Sequence, residues 1–238
     1  MPKLRLDKLL ASQGLGSRKD VQKLIRGGAV AVNGEIERSV ERKADPQADV
    51  ITVEGQPLAY KEYLYLMMNK PAGVVSASND AKERTVVDLV PQPLRRRGLF
   101  PAGRLDRDTT GLLILTDDGD FAHRMLAPKK HVYKLYQAEL EGSLPPDAES
   151  AFAAGITLND GTLCLPARLE VVSPFPPVRA RVWIREGKFH QVKKMFLSQG
   201  CRVTGLKRLQ IGGLCLDPAL GPGECRELSA QEVASIFH

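Results

Sequence analysis

The arrangement of apolar and polar positions predicts many strands and few helices. Val178, Ala180, Val182 and Ile184 alternate with Arg179, Arg181, Trp183 and Arg185, a period of two that fits a strand. Lys134 to Leu140 alternates in the same way. Leu112 to Leu115 is an apolar run bounded by Gly111 and the turn Asp117-Asp118-Gly119, which suits a buried strand better than a helix. Leu64 to Met68 is a second such run. Short strands are expected near Val203, over Leu209 to Ile211 and over Leu214 to Leu216. Helical spacing marks Leu6, Leu9 and Leu10, then Val21, Leu24 and Ile25, and later Val192, Met195 and Phe196. Further short helices are expected from Asp118 to Leu126, where Pro128 bars continuation, around Asp147 to Ala154, and from Ser229 to Phe237.

Turn and cap signals divide this pattern. Ser17 with Asp20 three residues on fits a capping box, and Gly27-Gly28 ends that helix. Ala29 to Val32 reads as extended and leads into Asn33-Gly34, a strong hairpin signal because a type I′ turn needs positive φ at both positions. Val50, Ile51 and Val53 suggest a strand before a turn at Glu54-Gly55. A linker falls near Ala59 to Glu62, so the expected domains are 1–60 and 61–238. The expected class is α+β: a small basic N-terminal α/β module, then a larger domain built on a mostly antiparallel mixed sheet with flanking helices.

Composition narrows the function. The 238 residues are 43% hydrophobic, enough for a real core and too much for a disordered tail. The net charge of +6 favours an anionic partner, nucleic acid first. Between residues 3 and 26 the basic side chains are Lys3, Arg5, Lys8, Arg18, Lys19, Lys23 and Arg26, opposed only by Asp7 and Asp20. Such a cluster is either a solvated helix face or a set of phosphate contacts. Arg95-Arg96-Arg97 poses the same alternative. Cys164, Cys201, Cys215 and Cys225 show neither a zinc spacing nor a disulfide framework, which suits a reducing cytoplasm. The charged start from Lys3 is unlike a secretory leader, and no apolar run approaches the roughly 18 residues of a membrane span.

The candidate chemistry gathers around Gly103 to Gly119. Asp106 lies on a polar loop held against the apolar run that follows it, and loops fixed on a rigid scaffold are where catalytic groups concentrate. Asp106, Asp108, Asp117, Asp118 and Asp120 also allow a rival reading, a magnesium-dependent nuclease or phosphotransferase, since hard cations take oxygen ligands. A turn and a helix N-terminus account for Asp117, Asp118 and Asp120 without a metal. His123 and His131 have no spacing that suggests metal binding, and His190 receives no catalytic role.

Two resemblances sharpen this. Arg5-Leu6-Asp7-Lys8-Leu9-Leu10, Gly16-Ser17-Arg18 and Leu24 to Gly34 resemble the αL-type RNA-binding domain. That implies RNA contact by Arg5, Lys8, Arg18, Lys19 and Arg26. Lys70-Pro71-Ala72-Gly73, Gly103 to Gly119, Glu186 to Phe196, Ile211-Gly212-Gly213 and Pro222-Gly223-Glu224 resemble, in order, the RsuA-type pseudouridine synthases. The resemblance implies isomerisation of a uridine already in RNA: the N1 glycosidic bond breaks, the base turns, and C5 bonds to C1′. It implies no cofactor and no metal. It places the required aspartate at Asp106, a tyrosine that packs on the target base at Tyr136, and a basic partner of the aspartate at Lys193. Many relatives in the wider superfamily have arginine at that last position. Arg104 and Lys70 are further expected RNA contacts.

The expectation is therefore a cytoplasmic, monomeric rRNA pseudouridine synthase, acting on small-subunit rRNA or on a subunit assembly intermediate. A large-subunit rRNA synthase and a non-enzymatic RNA-binding assembly factor are the alternatives.

Overall fold

The computed structural model describes residues 3–127, 132–175 and 177–238. Pro128 and His131, named above, lie outside them. The chain forms two compact units, 1–64 with 91–99, and 65–90 with 100–238. Residues 91–99, which the sequence suggested for the second domain, pack with the first unit.

The first unit opens with β1 (Leu4–Arg5), α1 (Leu6–Ser12) and α2 (Arg18–Gly27). Leu6, Leu9 and Leu10 of α1 meet Val21 and Ile25 of α2 in one core, all fully buried. The Ser17–Asp20 capping box is present, and Gly28 ends α2 at φ 82, where L side chains are strained. Strands β2 (Val30–Val32), β3 (Glu35–Ile36), β5 (Ile51–Val53) and β6 (Gln56–Pro57) form an antiparallel sheet in the order β3-β2-β5-β6. The β2–β3 turn has φ 54 at Asn33 and φ 86 at Gly34, the two positive values the dipeptide implied. β4 (Lys43–Ala44) pairs with β1.

Asp7 ties the two helices together. Its carboxylate is fully buried and accepts from Arg5 Nε at 3.2 Å, Arg18 Nη2 at 3.1 Å and Gln22 Nε2 at 3.1 Å. Burial alone would push this carboxyl up, but Gln22, Arg5 and Arg18 outweigh it and hold it below its ordinary value. Arg96 is likewise structural, donating to the carbonyls of Lys61 and Glu62 at 3.1 and 3.2 Å.

The second unit is built on one sheet. Its strands are β7 (Tyr65–Lys70), β8 (Phe100–Pro101), β9 (Thr110–Thr116), β10 (Lys134–Glu141), β11 (Arg168–Ser173), β12 (Val178–Ile184), β13 (Arg202–Ile211), β14 (Leu214–Cys215) and β15 (Cys225–Glu227). The order is β11-β12-β10-β13-β9-β7-β15, with β14 beside β13 and β8 beside β9. Among the described strands only β13 and β9 run parallel. There Gly111 is required: its φ is 98, and a Cβ would lie 2.2 Å from the Arg208 carbonyl oxygen. The ten-residue β13 replaces the two short strands expected at Val203 and at Leu209 to Ile211, because the segment pairs along β10 from Arg202 to Ile211, with register shifts that leave Thr204 and Leu209 without partners on β10.

Helices α3 (Gly119–Leu126), α4 (Ala148–Ala154), α5 (Gln191–Ser198) and α6 (Ala230–Ser235) flank the sheet. Phe121 of α3 and Ile236 pack with Met67, Leu112, Ile114 and Ile211 of the strands. Each such fully buried side chain contributes about 1.5–3 kcal/mol relative to exposure. Phe152 of α4 meets Phe196 of α5 with ring centroids 5.2 Å apart, which seats α5.

Candidate active site

The site lies where the loop before β9 meets the start of α5 and the side chains of β10. The loop is held from below. Lys70, the last residue of β7, is wholly buried, and its ammonium donates to the carbonyls of Pro71, Asp106, Arg107 and Thr109 at 3.0, 3.1, 3.2 and 3.0 Å. Burial lowers its pKa to about 8, although Asp108 and Asp106 pull the other way. Ser76 adds a second anchor: its hydroxyl donates to the Leu105 carbonyl at 2.9 Å and accepts from the Leu105 N–H at 3.1 Å. Thr109 N–H then closes a turn on the Asp106 carbonyl at 3.1 Å. The expected RNA contact by Lys70 is corrected here. A fully buried ammonium that already serves four carbonyls cannot reach a phosphate.

This loop presents Asp106 to α5. Lys193 Nζ lies 3.1 Å from Asp106 Oδ2 and 2.6 Å from Asp108 Oδ1. Burial works to lower the lysine, but the hydrogen bonds it donates to Asp108 and Asp106 outweigh this and hold it above its ordinary value. The hydrogen bond from Lys193 holds the Asp108 carboxyl below its ordinary range. Asp108 is thus an ion-pair partner of Lys193, where the sequence placed it only in an acidic cluster. Asp118 does cap α3, accepting from Phe121 N–H at 2.9 Å and from the Tyr65 hydroxyl at 2.6 Å. Asp120 sits in the first turn of α3 and His123 in its last. His190 precedes α5 with Nε2 3.6 Å from Asp106 Oδ1, a neighbour the sequence did not single out.

Tyr136 of β10 faces the same pocket, a cavity of about 80 Å³ that Arg104, Asp106, Ile184, Val192, Lys193 and Leu206 also line. Its hydroxyl accepts from Arg208 Nη1 at 3.2 Å, and Arg208 Nε donates to the Leu112 carbonyl at 2.7 Å. Arg208 is buried, so it joins the tyrosine strand to the strand behind the Asp106 loop. Nothing in Lys207-Arg208 distinguishes this arginine from a solvated one; only the pairing of β13 with β10 does. Arg104 is exposed at the pocket. In the first unit Lys8, Lys19 and Arg26 are exposed, whereas Arg5 and Arg18 are shared with Asp7.

The arrangement brings a carboxylate, an ammonium 3.1 Å from it and a tyrosine ring to one pocket of mixed polar and apolar lining. Among the described residues no group of His, Cys, Asp and Glu is gathered to hold a metal ion. Asp106 and Asp108 face an ammonium instead. No described helix is long and apolar enough to cross a membrane.

Comparison with known proteins places this geometry. The RNA pseudouridylate synthase family model matches residues 64–198, and the S4 domain model matches residues 4–50. The chain is 46% identical over 231 residues to an uncharacterized RNA pseudouridine synthase of Bacillus subtilis strain 168, covering 97% of each chain. It is 43% identical over 235 residues to ribosomal small subunit pseudouridine synthase A of Escherichia coli K12, covering 98% of this chain and 100% of that one. A crystal structure of a pseudouridylate synthase superposes with a TM-score of 0.68 at 38% identity, covering 98% of this chain and 99% of that one. The chain belongs to the RNA pseudouridylate synthase family: it is an RNA pseudouridine synthase, an isomerase, with an S4 domain at its N-terminal end.

Proposed function

We propose that this enzyme converts one uridine of small-subunit ribosomal RNA to pseudouridine. The observation that carries the reading is Asp106, 3.1 Å from Lys193 in a pocket that Tyr136 also lines. The full-length similarity to the Escherichia coli small-subunit enzyme supports the choice of RNA. The first unit, through Lys8, Lys19 and Arg26, brings the enzyme to RNA in the cytoplasm, either as free rRNA or in an assembling subunit. The second unit does the chemistry.

The reaction is balanced within the substrate. The N1–C1′ bond breaks, a C5–C1′ bond forms, C5 gives up its hydrogen and N1 gains one. Three routes are open to the carboxylate: attack on C1′, addition to C6, and proton removal toward a glycal. Each needs a carboxylate facing the nucleoside, and the ammonium of Lys193, 3.1 Å away, fixes where the Asp106 side chain lies. Tyr136 packs on the base and assists proton transfer. Arg104 contacts phosphate as the nucleotide leaves the stack.

The test is pseudouridine mapping on rRNA from a strain lacking the gene, joined to an assay of purified protein on transcribed small-subunit rRNA in EDTA. We expect one pseudouridine to disappear from the strain and to be restored in vitro by wild type. Asp106→Asn should bind RNA and form none. An active Asp106→Asn variant overturns the reading, and loss of a large-subunit pseudouridine overturns the choice of RNA.

A further inference from the structure

Phe189 lies in the chain between Lys188 and His190, both of which line the pocket, and 74% of its own surface is exposed. The backbone around this ring is pinned. Gln191 accepts from the Lys188 N–H at 2.9 Å and donates to Glu186 Oε1 at 2.8 Å. Glu186 is buried and also accepts from the Leu165 N–H at 2.8 Å. Lys188 Nζ reaches the Leu163 carbonyl at 2.8 Å. An exposed apolar ring is therefore presented from a rigid turn.

The next residue is held in an uncommon conformation. His190 has φ 53, and the other described non-glycine residues at positive φ, Asn33 and Glu54, sit in turns between paired strands. At His190 the left-handed backbone accompanies a different result. The imidazole stacks on Phe189, with centroids 3.8 Å apart and planes at 19°, while its Nε2 stays 3.6 Å from Asp106. Strain of this kind clusters where a side chain must be aimed. Cations surround the ring: Lys194 Nζ is 5.7 Å from its centroid, and Arg104, Lys188 and Lys193 line the adjoining pocket.

We propose that the Phe189–His190 stack is a nucleobase platform, receiving the base next to the uridine that enters the pocket. Taking a nucleotide out of a helix breaks its stacking on both sides and leaves a flanking base without a neighbour. A rigid aromatic ring restores that neighbour, and every base has a π-face to offer, so the contact reads no sequence. Lys188, Lys193 and Lys194 are paired with Glu186, Asp106 and Asp108, and Asp160, so the exposed Arg104 at the pocket is the cation that meets a flanking phosphate. Phenylalanine suits this task because it has no polar group to choose among bases. The inference rests on the reading that the Asp106 pocket takes the uridine.

The test compares wild type, Phe189→Ser and Phe189→Trp on transcribed small-subunit rRNA tritiated at uridine C5, following tritium release, with melting temperatures to show that each variant folds. Phe189→Ser should lower kcat/KM by about 5- to 150-fold, the worth of one base–aromatic stack. Phe189→Trp keeps a ring and should keep most of the activity. In an Asp106→Asn background, RNA should quench the emission added by Phe189→Trp beyond the background of Trp183. Phe189→Ser matching wild type, absent added quenching, or a defect seen only on ribosomal particles and not on bare RNA would each overturn the platform. If wild type releases no tritium, the functional reading fails, and the quenching still decides the platform.

Discussion

Lys193 is shared unequally between two carboxylates, 2.6 Å from Asp108 and 3.1 Å from Asp106. The shorter contact goes to the aspartate whose side chain is 73% exposed, the longer one to the aspartate at the pocket, 26% exposed. Solvent screens the first pair more than the second. Asp108→Asn should therefore cost less than about fivefold in kcat/KM, the limit for an exposed pair. Lys193→Met should cost at least about a hundredfold, as loss of a charge partner at a reacting centre does. Lys193→Arg should retain activity, since a guanidinium fork can bridge both carboxylates. Steady-state kinetics on one RNA ranks the three.

Removal of Lys70 should act through the loop and not through RNA affinity. Lys70→Met removes a donor from four carbonyls; those of Asp106 and Arg107 keep the backbone N–H groups of Thr109 and Gly73, while the buried Thr109 carbonyl loses the ammonium, at a cost of about 1–3 kcal/mol if it stays unsatisfied. The melting temperature and kcat should both fall. The salt dependence of RNA binding should stay that of wild type, whereas Arg26→Ala should reduce the slope of log K against log salt by about 1. A reduced slope in Lys70→Met would return this lysine to the RNA-binding surface.

Acid should weaken the first unit through Asp7. Its folded pKa lies below the ordinary 3.8, so the contribution is fully present above 3.8 and is lost as pH falls through the lower folded value. Asp7→Asn should be less stable at neutral pH and should lose less stability over that acid window. Urea denaturation at a series of pH values, followed for both proteins, measures the difference.

Gly111→Ala should fail more severely than an ordinary strand glycine substitution. The new methyl group would meet the Arg208 carbonyl at 2.2 Å, a backbone atom that has no room to retreat while β9 and β13 stay paired. Expression without soluble product, or soluble protein without pseudouridine formation, is the expected result. Gly34→Ala is the control, because its added Cβ meets nothing within 4 Å and carries only the strain of φ 86.

Much of the architecture was legible because local rules agreed with the fold. The alternation from Val178 to Ile184 became β12, and Ser17 with Asp20 became a capping box. β11 gave no such signal, since Arg168 to Ser173 places only Leu169 in full burial. β15 is three half-buried residues whose strand character comes from pairing with β7. At the site, the motifs led to Asp106, Tyr136 and Lys193, which the structure does bring to one pocket. They did not lead to Asp108 or Arg208, whose partners lie 85 and 72 residues away. Lys70 misled for the opposite reason: beside Pro71 it reads as a loop cation, and only the fold encloses it.

The chain passes between its two units at three points, after residues 64, 90 and 99. Ancestry by simple fusion would leave a single seam, and a gene cut at that seam would release two intact halves. Here a cut near residue 60 strands 91–99, with Arg96 parted from the Lys61 and Glu62 carbonyls or carried off with them into the wrong half. A chimaera that exchanges the first unit of this chain must therefore carry both segments, 1–64 and 91–99, at once.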